Sequence, residues 1–102
     1  MDIHCRTITP QDYASLPLLF EALGYPSTAI DIAKRMGYLM ELPQNQALVA
    51  LNDKEELIGF IGLGYMHYFE RTGTYGAILA MAMRNDKQRQ GVGTALIEAA
   101  EA

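Results

Sequence analysis

Polar and apolar positions alternate at the start of the chain and then change period. Residues 3–9 alternate between two sets of side chains and are rich in β-branched residues, which predicts a strand with one face toward solvent. Thr9, Pro10 and Asp12 follow, and they offer a capping hydroxyl, a ring that needs no donor at the first helical position, and an acid at the third. A helix is therefore expected to begin at Pro10.

Apolar residues then recur at spacings of three and four in two successive segments, which is the period of an amphipathic helix. Pro17 removes a backbone donor inside the first segment, so a bend is expected there. Gly24 and Pro26 end this helix, and Ser27 or Thr28 can cap the next one. The stripes predicted to face the core are Tyr13, Leu16, Phe20 and Leu23 in the first helix, and Ala29, Ile32, Met36 and Leu39 in the second.

Three predicted strands separated by polar turns come after the helices. Residues 47–51 form a short apolar run, and the charged turn 52–56 leads into residues 57–69, which are apolar at nearly every position. Neither face of that long strand is expected to be exposed to solvent, so both faces of the sheet must be covered by other elements. A second polar turn, 70–74, leads into the apolar run 75–83. Two hairpins in series predict antiparallel neighbours.

The predicted order is strand, helix, helix, three strands and a final helix. It indicates an α+β fold, an α/β sandwich in which a mainly antiparallel sheet carries helices on both faces. At 102 residues the chain is expected to be a single domain, and half of its residues are hydrophobic, as in ordinary globular proteins. Its eight basic and twelve acidic residues give a net charge of −4, so we expect no nucleic-acid partner.

Cysteine and histidine are too few to suggest a disulfide or a metal site. Cys5 is the single cysteine, and only His4 and His67 could join it as ligands. The first ten residues lack the basic start and long apolar run of a signal peptide. The apolar runs are also shorter than the roughly 20 residues that a membrane helix needs. A cytoplasmic protein without membrane contact is the expectation.

The last predicted helix opens on two glycines, Gly91 and Gly93. The first turn of a helix has amides without partners and a partial positive charge, and glycine keeps no side chain between a ligand and those amides. Amides arranged in this way are suited to bind a phosphate or a pyrophosphate. The alternative is structural: Gly91 ends a loop and Gly93 lets the helix pack closely on the sheet. Side chains that can add hydrogen bonds to the phosphate or pyrophosphate are Gln88, Arg89, Gln90 and Thr94.

Other glycine fingerprints fit poorly. A dinucleotide-binding turn needs a third glycine where Leu96 stands, and a P-loop needs a lysine that follows neither glycine. Gly59, Gly62 and Gly64 have similar spacing, but they lie inside an apolar strand with no helix after it. Bulging or close packing is the expected role of these three glycines.

The motif Q-x-x-G-x-G at Gln88, Gly91 and Gly93, between the strand that ends in ILAMAM and a helix, resembles the GNAT superfamily of acetyl-CoA-dependent N-acetyltransferases. The element order from residue 1 to 102 is similar to the N-terminal part of that fold. The resemblance implies that backbone amides of this loop bind the cofactor pyrophosphate and that the preceding strand pairs with the pantetheine arm near a bulge. The implied cofactor-binding residues are Met81, Ala82, Met83, Gln88, Arg89, Gln90, Gly91, Val92, Gly93 and Thr94.

By the same resemblance, the chain should transfer acetyl from acetyl-CoA to a primary amine of a small molecule or a protein. Candidates for proton relay are Glu70, His67 and Tyr75, which border the ends of the third and fourth strands. Each also has a structural interpretation, Glu70 as a solvated charge and the two rings as packing groups. In the family the connection between the first two helices lines the acceptor side of the cleft, which makes Glu21 and Tyr25 candidate substrate contacts.

The family's fold continues with further strands and a helix, and it often supplies a tyrosine that protonates the leaving thiolate. The chain stops at LIEAAEA without a helix stop signal, so residues 1–102 are expected to be a truncated, incomplete GNAT-like domain. An open edge on the fourth strand then predicts a homodimer or strand exchange. The alternatives are a non-catalytic module that self-associates and a phosphate-binding domain unrelated to acyl transfer.

Overall fold

The computed structural model describes residues 3–84 and 91–101. Their order agrees with the predicted sequence of elements, strand, helix, helix, three strands and helix. The strands are β1 (His4–Thr7), β2 (Asn45–Leu51), β3 (Leu57–His67) and β4 (Thr74–Met83), and the helices are a 3₁₀ segment (Pro10–Ser15), α1 (Leu16–Leu23), α2 (Ala29–Glu41) and α3 (Val92–Glu101). In the described ranges, none of the helices has the length and apolar character that a membrane crossing requires.

The four strands form one antiparallel sheet in the order β1-β2-β3-β4. Successive residues of β2 point to opposite faces, and both faces are buried. Ala47 and Val49 join the core beneath the 3₁₀ segment, α1 and α2, whereas Leu48 and Ala50 join the core beneath α3. The predicted α+β arrangement with helices on both faces is confirmed.

The beginning of the first helical region differs from the prediction. The turn that starts at Pro10 is a 3₁₀ helix, and the α-helix begins only at Leu16. Pro17 therefore lies in the first turn of α1, where its missing N–H would have had no helical partner. The change from 3₁₀ to α geometry thus takes the place of the bend expected at Pro17.

Asp12 connects this helical region to β1. Only 7% of the residue is exposed, and its carboxylate accepts hydrogen bonds from both Nη atoms of Arg6, at 2.7 and 2.9 Å. The Thr9 backbone N–H donates to the same carboxylate at 2.7 Å. The hydrogen bonds from Arg6, assisted by those from Thr9, hold the pKa of Asp12 below its ordinary value against the opposing effect of burial. The capping role was predicted, but the ion pair with Arg6 was not.

Gly59 determines how closely α3 approaches the sheet. A Cβ atom at this position would lie 2.6 Å from Val92 Cγ1 and 3.1 Å from Leu96 Cδ1. Both partners are fully buried, so they have little room to retreat. The close packing expected of the glycines in β3 is thus the role of Gly59, and it places the first turn of α3 directly over the middle of the sheet.

We predict that Asp12→Asn destabilises the fold by about 1–2 kcal/mol at neutral pH, because a charged, bidentate hydrogen bond is lost and solvent screens the partly exposed Arg6. The carboxylate contributes stability that is fully present above the ordinary aspartate pKa and is lost as the pH falls through the depressed folded value. Urea unfolding of both proteins should therefore show a difference that narrows in acid. The exposed Asp53→Asn serves as the control, and a difference that is constant with pH would contradict the assignment.

We predict that Gly59→Ala destabilises the protein by about 1–3 kcal/mol through overpacking against α3. Gly37→Ala is the matched control: it lies within α2 with no atom within 4 Å of the added methyl group, and it should stabilise by about 0.5–1 kcal/mol. Val92→Ala should partly relieve the clash, so the double variant Gly59→Ala/Val92→Ala should lose less stability than the sum of the single variants. Additive losses in denaturant melts would show that Val92 does not limit the approach of α3.

Candidate functional site

A cleft of about 800 Å³ lies between the helices and the outer half of the sheet. Its walls come from the end of α1, the connection to α2, one side of α2, and the strands β2, β3 and β4. Most of the lining side chains are apolar. The lining residues are Phe20, Leu23, Gly24, Tyr25, Pro26, Ser27, Arg35, Met36, Leu39, Met40, Asn45, Gln46, Ala47, Phe60, Gly62, Leu63, Leu79, Ala80 and Met81.

A β-bulge forms part of the cleft wall. Gly62 pairs with Ala80 but the next residue, Leu63, pairs with Ile78, so Leu79 is an extra residue in β4. A bulge bends its strand and leaves backbone groups outside the regular ladder. Gly64 makes room for the displaced side chain, because a Cβ atom there would lie 2.8 Å from Leu79 Cδ1. Gly64 thus permits the irregularity at Leu79, which is one of the lining residues of the cleft.

The strand that carries the bulge is the outer strand of the described sheet. Beyond the bulge, Met81, Ala82 and Met83 pair with β3 through one edge of their backbone. Backbone N–H and C=O groups alternate between the two edges of an antiparallel strand. The other edge of this segment therefore offers donors and acceptors to an extended chain placed alongside it.

The start of α3 lies next to the end of β4. A Cβ atom on Gly93 would be 3.3 Å from the Sδ atom of Met83, and Gly91 adopts the left-handed conformation with φ of +82°. The first helical bond among the described residues runs from the Ala95 N–H to the Gly91 carbonyl, at 3.0 Å. Within the described ranges, no backbone carbonyl accepts from the N–H groups of residues 92–94. Amides at a helix start carry a partial positive charge, which is the property that anion-binding helix starts use.

An outer strand with a bulge, followed by a helix whose glycine-containing first turn lies at the end of that strand, matches the arrangement implied by the motif. The sequence model of the acetyltransferase (GNAT) family matches residues 14–102. The chain belongs to this family. The match therefore covers α1, α2 and α3, the strands β2 to β4 and the whole Q-x-x-G-x-G motif.

Solved GNAT structures have the same fold. A GNAT family acetyltransferase from Staphylococcus aureus subsp. aureus USA300_TCH1516 is 26% identical with a TM-score of 0.89, and the alignment covers 99% of this chain and 76% of that one. The aminoglycoside 6'-N-acetyltransferase AAC(6')-Ih from Acinetobacter baumannii is 16% identical with a TM-score of 0.79, covering 98% and 69%. A ribosomal-protein-alanine N-acetyltransferase from Brucella melitensis biovar Abortus 2308 is 19% identical with a TM-score of 0.76, covering 99% and 70%. No curated protein matches the sequence.

The structure gathers the three predicted proton-relay residues at one end of the β3–β4 hairpin in this GNAT protein. His67 is the last residue of β3 and pairs with Thr74, Tyr75 follows in β4, and Glu70 lies in the connecting turn. All three are exposed and none lines the cleft. Tyr75 is four residues from the bulge at Leu79, a separation of about 13 Å along a strand.

The remaining predicted site residues divide between the cleft, the strand and the helix start. Tyr25 lines the cleft, whereas Glu21 lies outside it on the exposed side of α1. Met81 lines the cleft, and Ala82 and Met83 continue the same strand toward α3. Val92, Gly93 and Thr94 form the first turn of that helix, and Gly91 precedes it. Gln88, Arg89 and Gln90 lie outside the described residues.

Sequence reasoning missed the polar side chains of the cleft. Arg35 lies on α2, three residues after Ile32 and four before Leu39, so the helical period places it beside the apolar stripe. Its guanidinium carbon is 5.9 Å from the centre of the Phe20 ring. Asn45 and Gln46 open β2 and line the same cleft. Arg35 is exposed, and the available signal was its helical spacing from Ile32 and Leu39 beside the apolar stripe.

Proposed function

We propose that the protein transfers the acetyl group of acetyl-CoA to a primary amine on a small molecule or a protein. The family assignment supports acetyl transfer, and one observation carries the rest of the proposal. The first turn of α3 meets the end of the outer strand at Gly93 and Met83. This contact puts the start of α3 beside the strand edge, and Met81 of the same strand lines the cleft. In our proposal the helix start would bind an anion and the cleft would receive the amine.

The fit of acetyl-CoA to this arrangement depends on backbone groups. The amides of residues 91–94 would bind its pyrophosphate, with further donors from Gln88, Arg89 and Gln90. The outer edge of Met81, Ala82 and Met83 would pair with its amide-containing arm. Acetyl-CoA supplies an acetyl group activated as a thioester. The bulge at Leu79 leaves backbone amides near this edge, where they can stabilise a developing oxyanion.

The cleft would present the amine to that edge. A neutral amine nitrogen forms the new C–N bond as the thioester C–S bond breaks; the thiolate takes up a proton and the amine loses one. Glu70, His67 and Tyr75 remain our candidates for accepting the amine proton. Because they lie beyond the described cleft, water must carry the proton between the amine and any of them. We assign no residue of this chain to the protonation of the thiolate.

A second candidate function is self-association through the outer edge of β4. One specific observation favours it: Ile78 and Leu79 on this strand are 51% and 57% exposed. An exposed apolar outer strand is a template for pairing with another chain. Such a homodimer or strand-exchanged form would be a non-catalytic module if it occupied the edge that the cofactor arm needs.

We predict that Gly91→Ala weakens acetyl-CoA binding about tenfold, which corresponds to about 1.4 kcal/mol. Alanine disfavours the left-handed conformation, so relaxation of the backbone would turn the first amides of α3 away from the pyrophosphate. Gly73→Ala is the matched control, since Gly73 also has a positive φ, with room for a methyl group, but lies in the β3–β4 turn. Both variants should lose similar stability, and calorimetric titration should show weaker binding only for Gly91→Ala.

Amide NMR shifts locate the binding. Acetyl-CoA should change the amide chemical shifts of residues 81–83 and 91–94 in the wild-type protein. The control variant Gly73→Ala should show the same changes. Unchanged affinity in Gly91→Ala, together with unperturbed amides at 91–94, would leave the helix start with only a structural role and would overturn the proposal.

For the second candidate, we predict that Ile78→Lys shifts the protein toward monomer, because a charge on an outer strand opposes strand pairing. Ile30→Lys is the control: Ile30 is 70% exposed on α2, remote from the strand edge. Sedimentation of the wild-type protein should show a dimer at high concentration that Ile30→Lys retains and Ile78→Lys loses. A compact wild-type monomer throughout the concentration range would exclude this association.

A further inference from the structure

We infer that the acceptor is a monoamine that carries an apolar body and a carboxylate, and that Arg35 binds the carboxylate. This inference rests on the proposed function, because it treats the cleft as the acceptor side of the acetyl-transfer site. It goes beyond that proposal by naming the chemical class of the acceptor and a residue that selects it.

The body of the acceptor follows from the cleft walls. The apolar lining comes from three elements of the fold: α1 with its connection, α2, and the strands. It includes Phe20, Leu23 and Tyr25 from the first, Met36, Leu39 and Met40 from the second, and Ala47 and Leu79 from the third. Apolar walls favour the binding of ligands with apolar surface, and a few polar groups then determine the orientation of the ligand. An aliphatic or aromatic body is therefore the complementary shape.

Two of the neutral polar side chains of the lining already have partners. The Asn45 side-chain amide donates to the Leu39 carbonyl at 3.1 Å, and the Gln46 Oε1 atom accepts from the Tyr65 hydroxyl at 2.9 Å. Among the described lining residues, Arg35 is the only charged side chain. Specificity for a charged group on the ligand thus falls on this guanidinium, while Tyr25 and Ser27 add neutral hydroxyls to the lining.

The position of Arg35 suits a carboxylate. Its guanidinium lies over the Phe20 ring, and that ring packs edge-on against Phe60 with centroids 5.4 Å apart. The 5.9 Å separation from the ring centre is within the range of a cation–π contact, and the N–H groups of the guanidinium can form a bidentate pair with a carboxylate. Within residues 3–84 and 91–101, no acidic side chain forms an ion pair with Arg35.

The same charge disfavours polycationic acceptors. No Asp or Glu is found among the described residues of the cleft lining, so additional ammonium groups would meet Arg35 without a balancing carboxylate. Some proteins with the same fold are aminoglycoside acetyltransferases. The cleft of this chain has the opposite charge preference, and a single amine beside an anionic group is the acceptor that it complements.

The test compares matched acceptors that differ in the carboxylate. The pairs are phenylalanine with phenylalanine amide, and para-(aminomethyl)benzoate with benzylamine, with kanamycin as the polycation. Wild-type protein should acetylate the acid of at least one pair with a kcat/KM about tenfold or more above its neutral partner, the range expected for a charged hydrogen bond. Kanamycin should be the poorest acceptor.

Variants assign the preference to Arg35. Arg35→Gln should remove the advantage of the acid while the neutral partner changes less than about twofold, and Arg35→Glu should reverse the preference. Lys34→Gln is the matched control, because Lys34 is exposed on α2 but does not line the cleft. It should behave as wild type toward both members of a pair.

Direct binding separates this inference from the proposed function. The acids should shift the Arg35 Nε–H NMR signal and bind more weakly to Arg35→Gln, whether or not acetyl transfer occurs. If the wild-type protein does not bind acetyl-CoA but binds the acids through Arg35, the proposed function would be overturned. The carboxylate site would still be supported. Acetyl transfer with equal rates for acid and amide, or binding of the acids that is unaffected by Arg35→Gln, would overturn the inference.

Discussion

The close approach of α3 to the sheet at Gly59 is the constraint on which the site depends. Any side chain at this position would collide with Val92 or Leu96, which are fully buried. Because the helix packs so near to β3, its first turn comes within contact distance of Met83 at the end of β4. The helix start and the strand edge are therefore adjacent as a consequence of core packing.

The cleft arises where the regularity of the sheet fails. The sheet is covered on both faces, so its strands are largely apolar and leave little room for a ligand. The extra residue Leu79 in β4, accommodated by the missing side chain of Gly64, breaks the ladder beside the α1–α2 connection. Backbone irregularity is tolerated there because β4 is the outer strand of the described sheet, and a bulge leaves backbone groups outside the regular ladder.

Local patterns predicted the elements well and side-chain partnerships poorly. The periods of two and of three to four residues established the order of strands and helices, and the Q-x-x-G-x-G motif identified the family before any geometry was known. The strand expected over 57–69 ends at His67, because the chain already turns there toward β4. The pairing of Arg6 with Asp12 was not predicted, since each residue alone has the ordinary pattern of a strand or a helix start.

The sequence by itself determined the family and the succession of elements, because these follow from periodicity, turn chemistry and spacing between near neighbours. It did not determine every buried face: Leu23 and Ala29 were predicted to face the core but are exposed, and half of the residues of the apolar strand β4 are exposed. Only the tertiary structure decided which glycine limits the approach of α3, where β4 bulges, and which polar side chains enter the cleft. Those features depend on contacts between residues far apart in the chain, such as Gly59 with Val92 and Arg35 with Phe20, whose partners no local pattern specifies.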